Sequence, residues 1–477
     1  MEVKVSKKDV IWSYIALFFN IGAGLIVLPL ILHMLSTEEI ALNYLMLTFG
    51  SMVALIDFGF APQFGRNITY VFSGAQDLKK EGLTESTGEE INYQLLKNLI
   101  DVAKRVYFYL SIIVLLILLT FGTAYIYYVT KGFTIVDNSF LIWVIYSIST
   151  YFNIYFYYYS SLLTGRGLIM ESKKAMMLQK IVYIIISYAL LLSGFGLLGV
   201  CIANLISPFV NRWLCYHYFY DNDLKIKLSQ YISEKDEIKQ LFSVIWYNAK
   251  KLGINFLGAY AITKFSMFVA GIYLSAADVS SYGLMIQVVT IATGVSTALF
   301  TSYVPKISSL RVSGNRNNLI KTFAFSMDTF YLLFIICSFL IVLAGPTALK
   351  IIGSNATLPT DLILITFLLI TLLENNHANF ATYITTGNDV PFVTAALISG
   401  FFICLLDFVV LQFTTLGLLG IVLVQGLVQL CYNNWYWPRS VCKDMGISYF
   451  SLLLIGFSET TIRLSLICRK RKNQHFK

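Results

Sequence analysis

Twelve apolar stretches, each long enough to cross a bilayer, dominate this 477-residue chain and leave few ways to fold it. They lie at roughly 10–32, 39–61, 106–129, 139–163, 176–194, 196–219, 252–274, 279–304, 322–345, 359–384, 392–413 and 416–437. A spanning helix needs about 20 apolar residues. The hydrocarbon interior accepts only elements that bond their own backbone groups, which makes such runs helices. Charged residues are 13% of the chain, against about 25% in soluble domains, so the class of ordinary cytosolic enzymes is excluded. The expectation is an all-α polytopic membrane protein with twelve transmembrane helices. Span 1 follows Lys4, Lys7 and Lys8 as a signal peptide would, but its 23-residue apolar run is too long for an h-region and no A-x-A site follows. It is read as a retained helix.

The basic residues set the orientation. With a cytoplasmic N-terminus, 32 of the 35 Lys and Arg residues fall in cytoplasmic segments; Lys131 and Lys350 are external and Lys264 lies within a span. Such a bias fits the positive-inside rule and places the C-terminus in the cytoplasm as well. It also accounts for the net charge of +9 without a nucleic-acid partner. The loops after spans 2 and 6 carry mixed charge and read as solvated helical extensions. The tail at 449–467 contains Glu459 and Arg463 and reads as an amphipathic interfacial helix.

The two halves echo each other. Leu163-Thr164-Gly165-Arg166 closes span 4 and Thr385-Thr386-Gly387-Asn388 closes span 10. About 30 residues on come Gly196-Leu197-Leu198-Gly199-Val200 and Gly417-Leu418-Leu419-Gly420-Ile421, and Tyr44-Leu45-Met46 resembles Tyr282-Gly283-Leu284-Met285. Both halves start in the cytoplasm and hold six spans, so the repeat is parallel, with its axis along the membrane normal. The domains expected are an N-lobe at 1–220, a cytoplasmic linker at 221–251, a C-lobe at 252–437 and a basic cytoplasmic tail at 438–477.

With this 6+6 arrangement, the run Asp57-Phe58-Gly59-Phe60 before Arg66 and the glycine-punctuated ends of spans 4 and 10, the chain resembles the polysaccharide-export, or O-antigen repeat-unit, flippases. These are the Wzx-type branch of the multidrug/oligosaccharidyl-lipid/polysaccharide (MOP) superfamily. The resemblance implies a V-shaped, MATE-like pair of six-helix lobes around a hydrophilic cavity, in the bacterial cytoplasmic membrane. It implies translocation of undecaprenyl-diphosphate-linked oligosaccharide by alternating access, alongside polymerase and chain-length proteins of the same pathway. No cofactor is implied.

Ionisable groups inside a membrane cost roughly 2.5–3.5 kcal/mol each on insertion scales, so each needs a reason. Lys264 lies near the centre of span 7, with Tyr260 and Phe268 on the same helical face. A cation there suits a diphosphate and the rings suit sugar faces; the alternative is a helix-holding pair with a carboxylate. Span 10 carries Glu374, Asn375, Asn376, His377 and Asn379, which suit sugar hydroxyls or, alternatively, a hydrogen-bond network within the lobe. Glu374 is also a candidate to neutralise Lys264 or take up a proton. Asp57 and Arg66 read as a cytoplasmic gate, with Arg66 meeting the phosphate, or as a structural helix-end pair. Asp407 is a coupling candidate, although it and Asp328 also read as local structural charges. Asn20 and Asn153 are isolated amides that would line a cavity, and Tyr155 to Tyr159 read chiefly as packing and interfacial anchors.

The seven cysteines show no metal-binding spacing and read as small buried hydrophobes. No GxxxxGK[ST] loop, HExxH motif or nucleophile–base set occurs, so no catalytic chemistry is indicated. Two other classes fit the sequence less well. Cation-coupled drug exporters of the superfamily commonly carry an acidic residue in the first helix, and span 1 has none. A glycan polymerase would need a large external loop; the longest here is short and carries one lysine.

Overall fold

The structure, a computed structural model, describes residues 26–57, 59–78, 90–312, 315–386 and 391–474 together with Trp12, Phe19 and Gly24. The rest of span 1 up to residue 25, with Asn20, lies outside the described residues, as do Phe58, residues 79–89 of the loop after span 2, and Gly387 and Asn388 of the span 10 motif. Among the described residues, all the extended regular elements are helices. Nine of these helices, of 21 to 37 residues, are long and apolar enough to cross a membrane. Their outer faces carry large apolar side chains with no protein over them, such as Leu192 (67% exposed), Phe339 (64%) and Phe413 (79%). A soluble fold would bury such groups; here lipid covers them. The chain is a multi-pass membrane protein.

The chain divides into two compact units, Met1–Tyr260 with Gly353–Asn355, and Ala261–Ile352 with Ala356–Lys477. In the first, Ser36 opens α1 (Thr37–Ile56) with a reciprocal cap: its hydroxyl accepts from the Glu39 N–H while the Glu39 carboxylate accepts from its own. Span 2 is not one helix as its apolar run implies. It stops at Asp57, turns through Gly59 at φ 74°, and resumes as α2 (Phe60–Phe72). Glycine tolerates that left-handed backbone, and hydropathy does not register it. Span 3 runs much further than its apolar part, as α3 (Tyr93–Ile117), a π-helical turn at Leu118–Gly122, and α4 (Thr123–Val129). Its polar extension is held in part by Asp101 pairing with Lys97 and Lys104 one turn away. Next come α5 (Ser139–Tyr155), α6 (Tyr158–Gly165), α7 (Ile169–Leu192), α8 (Gly196–Phe219), the linker helix α9 (Asn222–Ser229) and α10 (Lys235–Thr263). Within this unit Asn355 donates through its side chain to the carbonyls of His33 and Leu35, and the Thr37 hydroxyl donates to the Asn355 carbonyl.

The second unit contains α11 (Phe265–Tyr273), α12 (Ala276–Val312), α13 (Arg316–Ile352), α14 (Asp361–Thr385), α15 (Val393–Phe413), α16 (Gly417–Cys431), α17 (Asn433–Met445) and α18 (Tyr449–Gln474). Spans 7 and 12, each one apolar run, are both broken: at Lys264 between α10 and α11, and at Tyr432 between α16 and α17. The C-terminal helix lies on α13. Thr460 donates to Asp328 at 2.6 Å, Glu459 reaches Lys321, and the Arg463 guanidinium sits 3.9 Å over the Phe325 ring. Asp328 is thus bonded locally, between α13 and the C-terminal helix.

The echoed glycine word has the same geometry in both units. Gly196 and Gly417 open their helices at φ 54° and 52°. Three residues on, a Cβ on Gly199 would meet Leu190 at 2.7 Å, and one on Gly420 would meet Val410 at 2.5 Å. Each glycine lets the last span of its repeat press against the span before it. Gly420→Leu is expected to cost about 1–3 kcal/mol through overpacking, read as a lower midpoint of thermal unfolding in detergent; an unchanged midpoint would mean the approach is not needed.

Each unit also ties its polar end with an arginine. Arg166 donates to the Phe219 carbonyl and to Asp221 (2.5 Å), with its guanidinium near the Phe72 and Phe219 rings. In the second unit Arg311 lies 4.7 Å over the Tyr383 ring, and the Tyr383 hydroxyl donates to Asp444. The hydrogen bond from Arg166, reinforced by the Leu224 N–H, holds the Asp221 carboxyl below the usual carboxylate range. The pair's contribution is therefore complete above the unfolded-state value of about 3.9 and is lost as pH falls through the lower folded value. Asp221 is half exposed, so screening keeps that contribution under about 1 kcal/mol. Arg166→Gln should lower thermal stability slightly at neutral pH, and the gap from the native protein should close on acidification below about pH 4. A gap that persisted in acid would place the role of Arg166 in packing instead.

Candidate functional site

Span 10 supplies the polar cluster, and α14 displays it because Glu374 to Asn379 wrap around more than one helical face. Gln425 of α16 donates to both Glu374 oxygens, at 2.9 and 3.0 Å. The Asn375 amide donates back to the Thr371 carbonyl. Asn376 accepts from the Tyr331 hydroxyl at 2.5 Å and from the Tyr449 hydroxyl at 3.2 Å, which ties α13 and α18 to it. His377 donates through Nδ1 to the side-chain oxygen of Asn434 at 2.7 Å. Asn379 is buried with its amide nitrogen unpartnered among the described residues. Around the break in span 12, Asn433 donates to Ser399 and Gln429 and accepts from the Trp437 indole.

Much of this cluster's bonding capacity is thus spent inside one unit, the structural alternative that its residues allowed. The partners Gln425, Gln429, Asn433 and Asn434 went unnoticed in the sequence. Their signal is present: 425, 429 and 433 recur every four residues along one face of an otherwise apolar span.

Lys264 occupies the break in span 7, with φ −129° and ψ −26°, half-buried, and it has no carboxylate partner among the described residues. The break also separates the residues expected to share its helical face. Tyr260 ends the first unit, donating to the Thr48 carbonyl at 3.0 Å, whereas Phe268 belongs to α11 beside Phe265. Asp407 of α15 is fully buried, and neither carboxylate oxygen has a hydrogen-bond partner among the described residues. Ser266 and Tyr282 lie beside it. Asp57 accepts from the Tyr107 hydroxyl (2.5 Å) and the Ala61 N–H, while Arg66 donates to Gln63. Asp57 and Arg66 are each bonded elsewhere rather than to one another. Of the tyrosine run, Tyr158 and Tyr159 are buried and stacked 4.4 Å apart, and Tyr157 is exposed.

No known sequence family matches the chain, and no curated protein matches it. Solved structures do. An inward-facing multidrug-resistance MATE family transporter of the MOP superfamily superposes with TM-score 0.61 at 14% identity, over 90% of this chain and 95% of that one. The lipid II flippase MurJ, in an inward closed conformation, matches with TM-score 0.57 at 14% identity, over 98% of this chain and 99% of its own. A Vibrio cholerae MATE transporter matches with TM-score 0.57 at 12% identity, over 92% and 97%. The fold is therefore the all-helical, MATE-like fold of MOP superfamily transporters.

Proposed function

We propose that this protein is a flippase that carries polyprenyl-diphosphate-linked oligosaccharide across the bacterial cytoplasmic membrane by alternating access, for surface polysaccharide assembly. In this reading it has twelve spans in two six-helix lobes and both termini in the cytoplasm. The observation that carries the reading is Lys264, a cation at a break in a membrane helix with no carboxylate partner among the described residues. A diphosphate supplies the missing charge, because desolvated ammonium–phosphate contacts are strong. Extent of likeness adds support: the lipid II flippase matches this chain over 98% of its length, against 90–92% for the MATE structures. The polyprenyl tail stays in lipid, so only the sugar diphosphate needs shelter. Arg66, exposed on α2, meets the phosphate as it leaves the cytoplasmic leaflet. The donors and acceptors that the span 10 amides and imidazole keep beyond their bonds within the second unit handle sugar, and the rings of Tyr260 and Phe268 offer it apolar faces. Downstream polymerase and chain-length proteins take the product.

Asp407 is the coupling residue in this scheme. A fully buried carboxylate without a hydrogen-bond partner is costly as an anion, and binding a proton or a metal cation removes that cost. Glu374, already held by Gln425, and Asp57, held by Tyr107, keep the helices around them in place and gate. The same buried acid favours a second reading, a cation-coupled exporter of small molecules. Deletion in the native host separates the two. The flippase reading expects diphospholipid-linked repeat units to accumulate in the cytoplasmic leaflet; unpolymerised units outside, or no lipid-linked intermediate at all, would overturn it.

A further inference from the structure

We propose that a cavity inside the first unit binds a single sugar ring of the cargo. It encloses about 220 Å³ between α5, α6, α7 and α8, and its polar lining includes Asn153, Ser160, Gln179 and Asn211. That volume holds roughly seven waters and falls below the ~300 Å³ at which drug-sized sites begin. One ring with its hydroxyls fills that volume.

The lining chemistry narrows the class. Asn153 spends one N–H on the Ser149 carbonyl, and the Asn211 carbonyl accepts from the Cys215 thiol. Each amide keeps further donor or acceptor capacity. The side chains of Ser160 and Gln179 make no hydrogen bond among the described residues. A group of donor–acceptor side chains amid apolar helices matches a ligand whose every hydroxyl both donates and accepts. Tyr157, 52% exposed, adds an aromatic face on which a pyranose can stack. Among the described residues no carboxylate lines the cavity, and a cation stands behind its wall: Arg212 sits 5.1 Å over the ring of Phe156, which forms part of the wall. A cationic drug is disfavoured on both counts. Tyr157 also lies 6.2 Å from Tyr107, whose hydroxyl holds Asp57 at the break in span 2, so an occupant sits one ring away from that break. The assignment rests on the cargo being a lipid-linked glycan.

The test is saturation-transfer NMR on the full-length protein in detergent, with methyl glucoside, galactoside, N-acetylglucosaminide and glucuronide as probes. At least one glycoside should receive saturation, and Gln179→Leu with Asn211→Leu should weaken that binding about tenfold or more at unchanged thermal stability. Ser160→Val, which fills the cavity from another helix, should do the same and serves if the double variant does not fold. No signal from any glycoside, or a signal that both variants retain, overturns the proposal. If deletion causes lipid-linked intermediates to accumulate while no glycoside binds, the cargo reading stands and the cavity is removed from it. If glycosides bind but no such intermediate accumulates, the cargo reading fails, and with it the assignment of this cavity to the cargo.

Discussion

Lys264→Ala is expected to cut glycan export about tenfold or more while the protein remains in the membrane at its normal level. A charge-assisted hydrogen bond is worth about 1.5–3 kcal/mol, and each 1.4 kcal/mol is tenfold in affinity. Lys264 stands where span 7 breaks and has no carboxylate partner among the described residues, so its removal strands no anion among them. Stability should change little. Lys264→Arg should keep most of the activity, because a guanidinium also binds phosphate. Surface glycan measured against immunoblotted protein decides the matter. Full export by the alanine variant would take Lys264 out of the transport path.

Asp407→Asn should have the opposite effect on stability and an equally large effect on function. A neutral amide in place of a fully buried carboxylate removes the charge's share of a desolvation cost of roughly 2.5–3.5 kcal/mol on insertion scales, so the unfolding midpoint in detergent should rise. Transport in proteoliposomes should fall, and what persists should ignore an imposed proton or sodium gradient. A variant that still answers to the gradient would leave Asp407 without a coupling role.

Part of the candidate site was readable beforehand. Polar residues in mid-span announce themselves by their cost, which is why Lys264, Asp407 and the run from Glu374 to Asn379 stood out among apolar neighbours. Their roles were less legible. Asn376 looks equally suited to a sugar hydroxyl and to Tyr331; only packing shows that Tyr331 and Tyr449 already bond it. Lys264 was given a helical face shared with Tyr260 and Phe268, an inference that presumes an unbroken helix. The sequence reading places Asn153 on the cavity between the lobes; the structure shows it lining a pocket inside the first unit, with Gln179 and Asn211, two residues that no sequence signal groups with it.

By itself, the sequence determined that this chain lies in a membrane as helices, since 57% hydrophobic residues in runs of spanning length have no other stable arrangement. It also carried the echo of Gly196 in Gly417, because a backbone requirement is written in residue type. The tertiary structure alone decided where spans 2, 7 and 12 break, which polar groups satisfy one another, and which, such as the Asp407 carboxylate, are left without a partner. Periodicity and hydropathy describe the outside of a single helix. A hydrogen bond between helices depends on which face meets which, and that is set by packing between residues far apart in the chain.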